Sequence, residues 1–473
     1  MYAIGYIFDR FIIRNKTFNF MKIKMLTLLL MALCCAFKSY CQDTDPAVSF
    51  SAQADNKFLC PNKKEVYLYL EAKGGTVGKR LPLNVSLVVD RSGSMAEEER
   101  MHHAKQALIY FIDHLNPDDN VSIVMYDHVA ELVHGSEPVR DKADITRKIH
   151  HHITPRGATN ISHGLELGYN EVKSTYSPDR FNRVILISDG IANQGITDDY
   201  LLESIVREHA AKDKISLSSF GFGHEFNEVL MHDMAESGGG NYYFIETSSQ
   251  AIQDFDQEFQ LLGSVAAKSA VVAVNVPQGL TLSNVYGHKY TTQNGQVYID
   301  LKEVHPGEVN GILLKFTVNT ATPPDALVFN ATLDYDNAEN NSHHHKQEVV
   351  TVTTSPDPQA CQNNVDMAML EKISFYSSNA LLDGAMTDVE YGRLEHAQSK
   401  VHQAKTMISS LPAPSQSNPQ IQQQGQLINE YDTHLTKHGA NTHQVKNLHK
   451  RIRHKNYKLR KNKAQPATTT PGN

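Results

Sequence analysis

No apolar run after residue 41 reaches the roughly 18–20 residues that a membrane-spanning helix needs, which argues against a pore built from helices of this chain. A phosphate-binding loop is missing too, since GxxxxGK[ST] does not occur. Without a GxSxG elbow there is no activated serine of the α/β-hydrolase kind. Cysteine is scarce: of five in 473 residues, Cys34, Cys35 and Cys41 fall before residue 42, leaving Cys60 and Cys361. Acids stop at Asp432, whereas Lys437, Lys446, Lys450, Arg451, Arg453, Lys455, Lys458, Arg460, Lys461 and Lys463 crowd the terminal stretch. The net charge of −7 therefore understates how acidic the body is.

What is present reads as an exported, multi-part globular chain. Hydrophobic residues make up 40% and charged residues 21%, and the length suits about three units at ~100–200 residues each. Lys22 and Lys24 precede MLTLLLMALCCAF, which matches a signal-peptide core and is too short to span a bilayer. With translation starting at Met21, Ser39 and Cys41 fit the −3 and −1 positions of a cleavage site. Residues 1–41 are thus a leader, and the mature chain is expected in the periplasm, on the cell surface or in the medium, with no transmembrane span. Export permits a disulfide between Cys60 and Cys361, but spacing alone leaves two unpaired thiols equally open.

Residues 47–80 and 266–355 carry β-like alternation, as in VYLYLEA and GILLKFTV, with Pro-Gly and Asn-Gly turns. They are expected to form one β-sandwich. Between them, residues 81–263 alternate strand and helix, which predicts an α/β doubly wound, mostly parallel sheet of six strands, inserted into the sandwich. Residues 360–410 suggest two amphipathic helices separated near Asp383-Gly384. Residues 411–473 look like a Pro/Gln/Ser linker unable to bury a core, then a basic tail, disordered or helical.

Five residues concentrate the chemistry. Asp90, Ser92 and Ser94 occur in LNVSLVVDRSGSM, Thr159 in GATNISHGL and Asp189 in RVILISDG. Asp90 ends the first strand of the α/β segment and Asp189 follows the fourth, so a parallel sheet projects both carboxylates from one edge. Ser92 and Ser94 lie two apart in the next loop, and Gly93 is expected to let it turn tightly. Oxygen-only donors select a hard divalent cation, Mg²⁺ first, with Ca²⁺ or Mn²⁺ as alternatives.

The set Asp-x-Ser-x-Ser, distant Thr and distant Asp resembles the metal-ion-dependent adhesion site of von Willebrand factor A domains, over about residues 81–263. The wider arrangement is similar to bacterial exported proteins labelled calcium-activated chloride channel-like. The resemblance implies that Ser92, Ser94 and Thr159 coordinate directly, that Asp90 and Asp189 often act through water, and that a partner protein's Asp or Glu carboxylate completes the site. It points to a non-enzymatic adhesion or complex-assembly module. Two other readings stay open, an envelope protein whose metal only stabilises the sheet edge and, more remotely, a metal-dependent hydrolase. Haloacid-dehalogenase-like phosphatases need a second carboxylate where this chain has Ser92.

Other features have plainer readings. His150–His152 and His343–His345 are read as solvated runs, because three adjacent rings on a helix point in different directions. Asp127 could support the site from behind or be solvated at the sheet edge. The basic tail is read as a solvated helix, or else as a contact for an anionic envelope surface. Tyr457 alone among its charges gives base stacking little support, and no nucleic acid is expected as partner.

Overall fold

Two kinds of strand divide the chain, those that alternate in burial and those buried along their whole length. The computed structural model describes residues 45–76, 80–189, 191–223, 226–320, 322–438 and 443–461, so the expected leader lies outside the described residues. The first strands, β1 (Val48–Ala54), β2 (Phe58–Leu59) and β3 (Glu65–Gly74), alternate or are short. Next come β4 (Leu83–Asp90), β5 (Asn120–Tyr126), β6 (Ala130–Pro138), β7 (Phe181–Ser188), β8 (Ser216–Phe222) and β9 (Gly239–Ile245). Every residue of β4, β5, β7 and β8 is buried, as expected for a sheet covered on both faces. The order is β6-β5-β4-β7-β8-β9, all parallel except β6, which runs antiparallel to β5. The hydrophobic pattern did not delimit β6, because this half-exposed edge strand carries Glu, His and Gly and pairs with register shifts.

Six helices flank this sheet: α1 (Arg100–His114), α2 (Lys142–His152), α3 (Ile161–Ser174), α4 (Asp199–Glu208), α5 (Glu228–Gly238) and α6 (Ser248–Leu262). Side-chain oxygens of Asp141, Asn160, Asp198, Asn227 and Thr247 accept backbone N–H groups at the starts of α2 to α6. Helix α1 lacks such a cap and instead follows a 3-10 turn (Gly93–Glu99) that ends with Glu99 at φ 56°. Helices α1, α2 and α6 pack on one face and α3, α4 and α5 on the other. Helix α3 rides close: a Cβ at Gly168 would lie 2.3 Å from Val88 Cγ2. Gly168→Ala is accordingly expected to lower stability by about 1–3 kcal/mol through overpacking, read by urea denaturation. A change within about 0.5 kcal/mol would show that the helix can simply lift.

The remaining strands are β10 (Ala267–Asn275), β11 (Leu280–Tyr286), β12 (Tyr290–Gln293), β13 (Gln296–Val304), β14 (Val309–Val318), β15 (Ala326–Asn337) and β16 (His343–Thr354). They join β1–β3 in two sheets, ordered β1-β3-β14-β11 and β12-β13-β10-β15-β16-β2. Strands from either side of the α/β segment thus pair directly, β3 with β14 and β2 with β16. The sheets share a core in which Leu68, Leu70, Ile312 and Phe316 of one meet Val272, Ile299, Phe329 and Leu333 of the other. Cys60 and Cys361 are disulfide-bonded, Cα atoms 6.1 Å apart across a sequence separation of 301. Cys60→Ser with Cys361→Ser should cost about 3 kcal/mol by chemical denaturation under oxidising conditions, because the bridge restricts the unfolded chain. A double variant as stable as the wild type would mean that the bridge restrains nothing.

The C-terminal part departs most from expectation. It contains α7 (Pro358–Gln362), α8 (Met367–Glu390), α9 (Leu394–Ser409), α10 (Ala413–Gln416), α11 (Pro419–His438) and α12 (His443–Arg460). Helix α8 runs straight through Asp383-Gly384. The break comes at Gly392, whose φ of 73° suits the left-handed turn after a helix. The stretch expected to be a linker, residues 411–426, instead forms α10 and the first part of α11, with Pro419 at its start, and buries Leu411 and Ile421. Beyond it, α11 buries Leu427, Ile428, Tyr431 and Leu435 against α8, α9 and α12. Its Gln-rich composition hid an apolar stripe. Nor is α12 simply solvated: Tyr457 sits in the α/β core, Lys450 donates to Phe226 O, and Arg453 pairs with Glu228 and Glu390. Lys458 pairs with Asp254 of α6 and Lys461 with Glu236 of α5. These cations are engaged within the chain.

Candidate metal-binding site

Strands β4 and β7 are parallel neighbours, Val88 opposite Leu186, so Asp90 and Asp189 emerge at one edge. From β4 the chain turns toward β5, and from β7 toward β8, which makes this edge the topological switch point of the sheet. Ser92 N–H donates to Asp90 Oδ1 at 2.7 Å, folding the loop back, and the Ser92 and Ser94 hydroxyl oxygens lie 3.1 Å apart. The loop before α3 is tied to it, since Gly93 N–H donates to Gly157 O and Arg156 N–H to Arg91 O. Thr159 N–H donates to Asn193 Oδ1, and Asn193 N–H to Thr159 O, which fastens the same loop to the one after Asp189. Three loops carrying all five residues are thus bound together. Asp90, Ser92, Thr159 and Asp189 are each at most 3% exposed, while Ser94 is half-buried.

Gly93 has a reason other than the one expected. Its φ is not left-handed, and a Cβ there would only touch Gly157 O at 3.5 Å, an ordinary contact. What the position contributes is its backbone N–H.

The electrostatics suit a cation. Asp90 accepts from Ser188 Oγ at 2.6 Å and from Tyr126 OH at 3.3 Å, yet burial, and next the charge of Asp189, push its carboxyl up to about 7. Asp189 is also raised, by burial, against the lowering influence of Ser94 and Arg100. Asp189 Oδ1 is buried without a hydrogen-bond partner, an arrangement that costs free energy unless something positive meets it. Two carboxylates and three hydroxyl-bearing residues form a hard, oxygen-only donor set that fits Mg²⁺ or Ca²⁺. Among the described residues, no group of three or more His, Cys, Asp or Glu could hold a metal. The set at this edge is hydroxyl-rich instead.

Sequence reasoning overlooked several residues here. Arg100, 3% exposed, places Nη1 3.3 Å from both Ser94 O and Asp189 Oδ2. A Cβ at Gly223 would lie 2.2 Å from Arg100 Nε, so a glycine leaves room for the guanidinium. Asp127 is neither solvated nor aimed at the five residues. It accepts from Arg91 Nε and Arg156 Nε, and despite its burial the Arg156 and Val129 hydrogen bonds hold its carboxyl below the usual range. It braces the two arginines whose backbones join the loops. No motif marks Arg100, which lies six residues past Ser94 on a helix of unrelated pattern. The first histidine run, His150–His152, ends α2, where His150 and His151 face solvent.

Comparison with known proteins agrees with this geometry. Residues 84–258 match the model of the von Willebrand factor type A domain. An uncharacterized protein of Synechocystis sp. is 32% identical over 209 residues, covering 44% of this chain and 48% of that one. Calcium-activated chloride channel regulator 3A-1 of Mus musculus is 27% identical over 188 residues, 39% of this chain and 20% of that protein. The chain thus spans less than half the length of these relatives. A solved von Willebrand factor type A structure from Catenulispora acidiphila superposes with a TM-score of 0.64 at 13% identity, covering 81% of this chain and 90% of that one, which is a likeness of fold.

Proposed function

We propose, from the premise that residues 84–258 are a von Willebrand factor type A domain, that this chain is an exported protein-binding module dependent on a divalent cation, Mg²⁺ first. The buried, unpartnered Asp189 Oδ1 beside the paired Ser92 and Ser94 hydroxyls carries the reading. Ser92, Ser94 and Thr159 would hold the cation directly, with Asp90 and Asp189 behind them. When bound, the cation supplies a positive charge and a coordination position open to a partner's Asp or Glu carboxylate. Asp90 orients the Ser92 loop through the Ser92 N–H, and Ser188 and Tyr126 keep its carboxylate in place. Arg100 keeps Asp189 aligned. The hydroxyl-rich donor set favours a binding role, in which the cation serves as a docking contact. The disulfide, which persists in oxidising compartments, supports export.

The test is affinity capture of partners from cell-envelope extract by the full mature chain, in Mg²⁺ and in EDTA, beside Asp90→Ala. Partners held in Mg²⁺ and lost both in EDTA and in the variant are expected, with folding of the variant checked by circular dichroism. Capture by a folded Asp90→Ala equal to wild type would sink the adhesion reading. A lower melting temperature in EDTA with capture intact would assign the cation a stabilising role only.

A further inference from the structure

The two carboxylate oxygens of Asp189 stand in different states. Oδ1 is buried without a hydrogen-bond partner, whereas Oδ2 lies 3.3 Å from Nη1 of Arg100. The guanidinium is itself buried, and Nη1 also donates to Ser94 O at 3.3 Å, so it bridges the loop after β4 to the loop after β7. The Ser94 side chain hydrogen-bonds the same carboxylate, and Glu97 Oε2, on an exposed side chain, is 3.9 Å from Arg100 Nη2. Local backbone builds this position from both sides. Glu99, at φ 56°, turns the chain from the 3-10 segment into α1, whose first residue is Arg100. Gly223, at φ 79°, keeps the facing loop free of a side chain that would strike the guanidinium. A guanidinium stays protonated at any physiological pH, so its charge beside Asp189 is permanent.

We infer that Arg100 determines which divalent cation this edge takes, by holding Asp189 to a single open oxygen and by offsetting one of the two buried carboxylate charges. The inference rests on the cation-dependent reading given above. Ca²⁺ gathers ~6–8 oxygens and readily takes both oxygens of one carboxylate, whereas Mg²⁺ accepts single carboxylate oxygens and keeps several waters. With Oδ2 engaged by the guanidinium, Asp189 presents Oδ1 alone, which suits Mg²⁺ and handicaps Ca²⁺. Charge acts on both ions alike. Asp90 and Asp189 supply two negative charges and Arg100 returns one positive, and in a buried site its repulsion weakens the hold on either cation. Less of the cation's charge is then neutralised by the protein itself, and more is left for a partner's carboxylate. Arg100 is thus a positioning residue that trades affinity for the ion against selectivity and docking strength.

The experiment is calorimetric titration of MgCl₂ and of CaCl₂ into the metal-stripped full mature chain at pH 8, for wild type, Arg100→Met and Arg100→Lys. Wild type is expected to bind Mg²⁺ more tightly than Ca²⁺. Arg100→Met keeps a buried stem and removes the charge and the donor. It should tighten Ca²⁺ at least ~10-fold and Mg²⁺ by less, so that the preference narrows. Arg100→Lys retains the charge and should stay closer to wild type for both ions. A role limited to bracing the loops predicts the opposite sign, weaker binding of both. Gly223→Ala crowds the guanidinium while leaving Arg100 in the chain, and it should move the Ca²⁺ affinity in the same direction. It decides the matter where circular dichroism shows Arg100→Met to be unfolded. Ca²⁺ affinity unchanged or weakened in the folded variant overturns the inference, while Mg²⁺ binding by wild type and its loss in Asp90→Ala leave the cation-dependent reading standing. No Mg²⁺ binding by wild type overturns both.

Discussion

Arg183→Ala is expected to lower the unfolding free energy by about 3–5 kcal/mol, because it leaves buried acids without their cation. Arg183 lies on β7, and its side chain is fully buried. Nε donates to Ser216 Oγ at 2.9 Å and Nη1 to Ser218 Oγ at 3.0 Å, while the guanidinium pairs with Glu258 of α6 and Glu303 of β13. Burial alone would depress its pKa, but Glu303 and Glu258 overcome that and raise it. Glu258 also accepts from Asn241 Nδ2 and Tyr243 OH. One guanidinium therefore joins the α/β sheet, its last helix and the β layer. Urea denaturation of Arg183→Ala, Glu258→Gln and the double variant reads the effect, and the losses should be strongly non-additive. A single-variant loss under 1 kcal/mol would mean that water or rearrangement satisfies Glu258.

The metal-free protein should lose stability as pH rises from about 4 to 7, because Asp90 must give up its proton inside a buried site. Its carboxyl rises from the ordinary 3.8 to about 7, mainly by burial and then by Asp189. The sign follows from proton binding: over this window the native state holds the proton that the unfolded state has released, so stability falls as pH rises and levels off above about 7. Asp90→Asn removes this slope and should stabilise the metal-free protein at pH 8, since an amide can keep the Ser92 N–H bond. The same variant should lose the rise in melting temperature that Mg²⁺ gives the wild type. Paired denaturation curves at pH 5 and pH 8, with and without Mg²⁺, measure both. Parallel pH profiles for variant and wild type would remove Asp90 as the source.

Strand ends and helix starts were legible because they are local. LNVSLVVD is apolar enough to be a central strand from eight residues alone, and Asp90 and Asp189 fall where such strands stop. The Pro/Gln-rich α11 was illegible for the opposite reason. Its apolar stripe of Leu427, Ile428, Tyr431 and Leu435 is diluted by polar neighbours and becomes a core only against α8, α9 and α12. The α8 break was misplaced because Gly384 is tolerated inside a packed helix, whereas Gly392 is needed for its left-handed φ.

Short-range pattern was sufficient for the α/β alternation and for placing Asp90 and Asp189 at the ends of buried strands, since each depends on neighbours within one strand or loop. Folding alone decided the Cys60–Cys361 bridge, Arg100 against Asp189, α12 across the α/β core and the pairing of His343 and His345 with Asp336 and Asp334. Each of these joins elements through sheet register or helix packing, and a residue's own neighbours along the chain do not encode which distant side chain will face it.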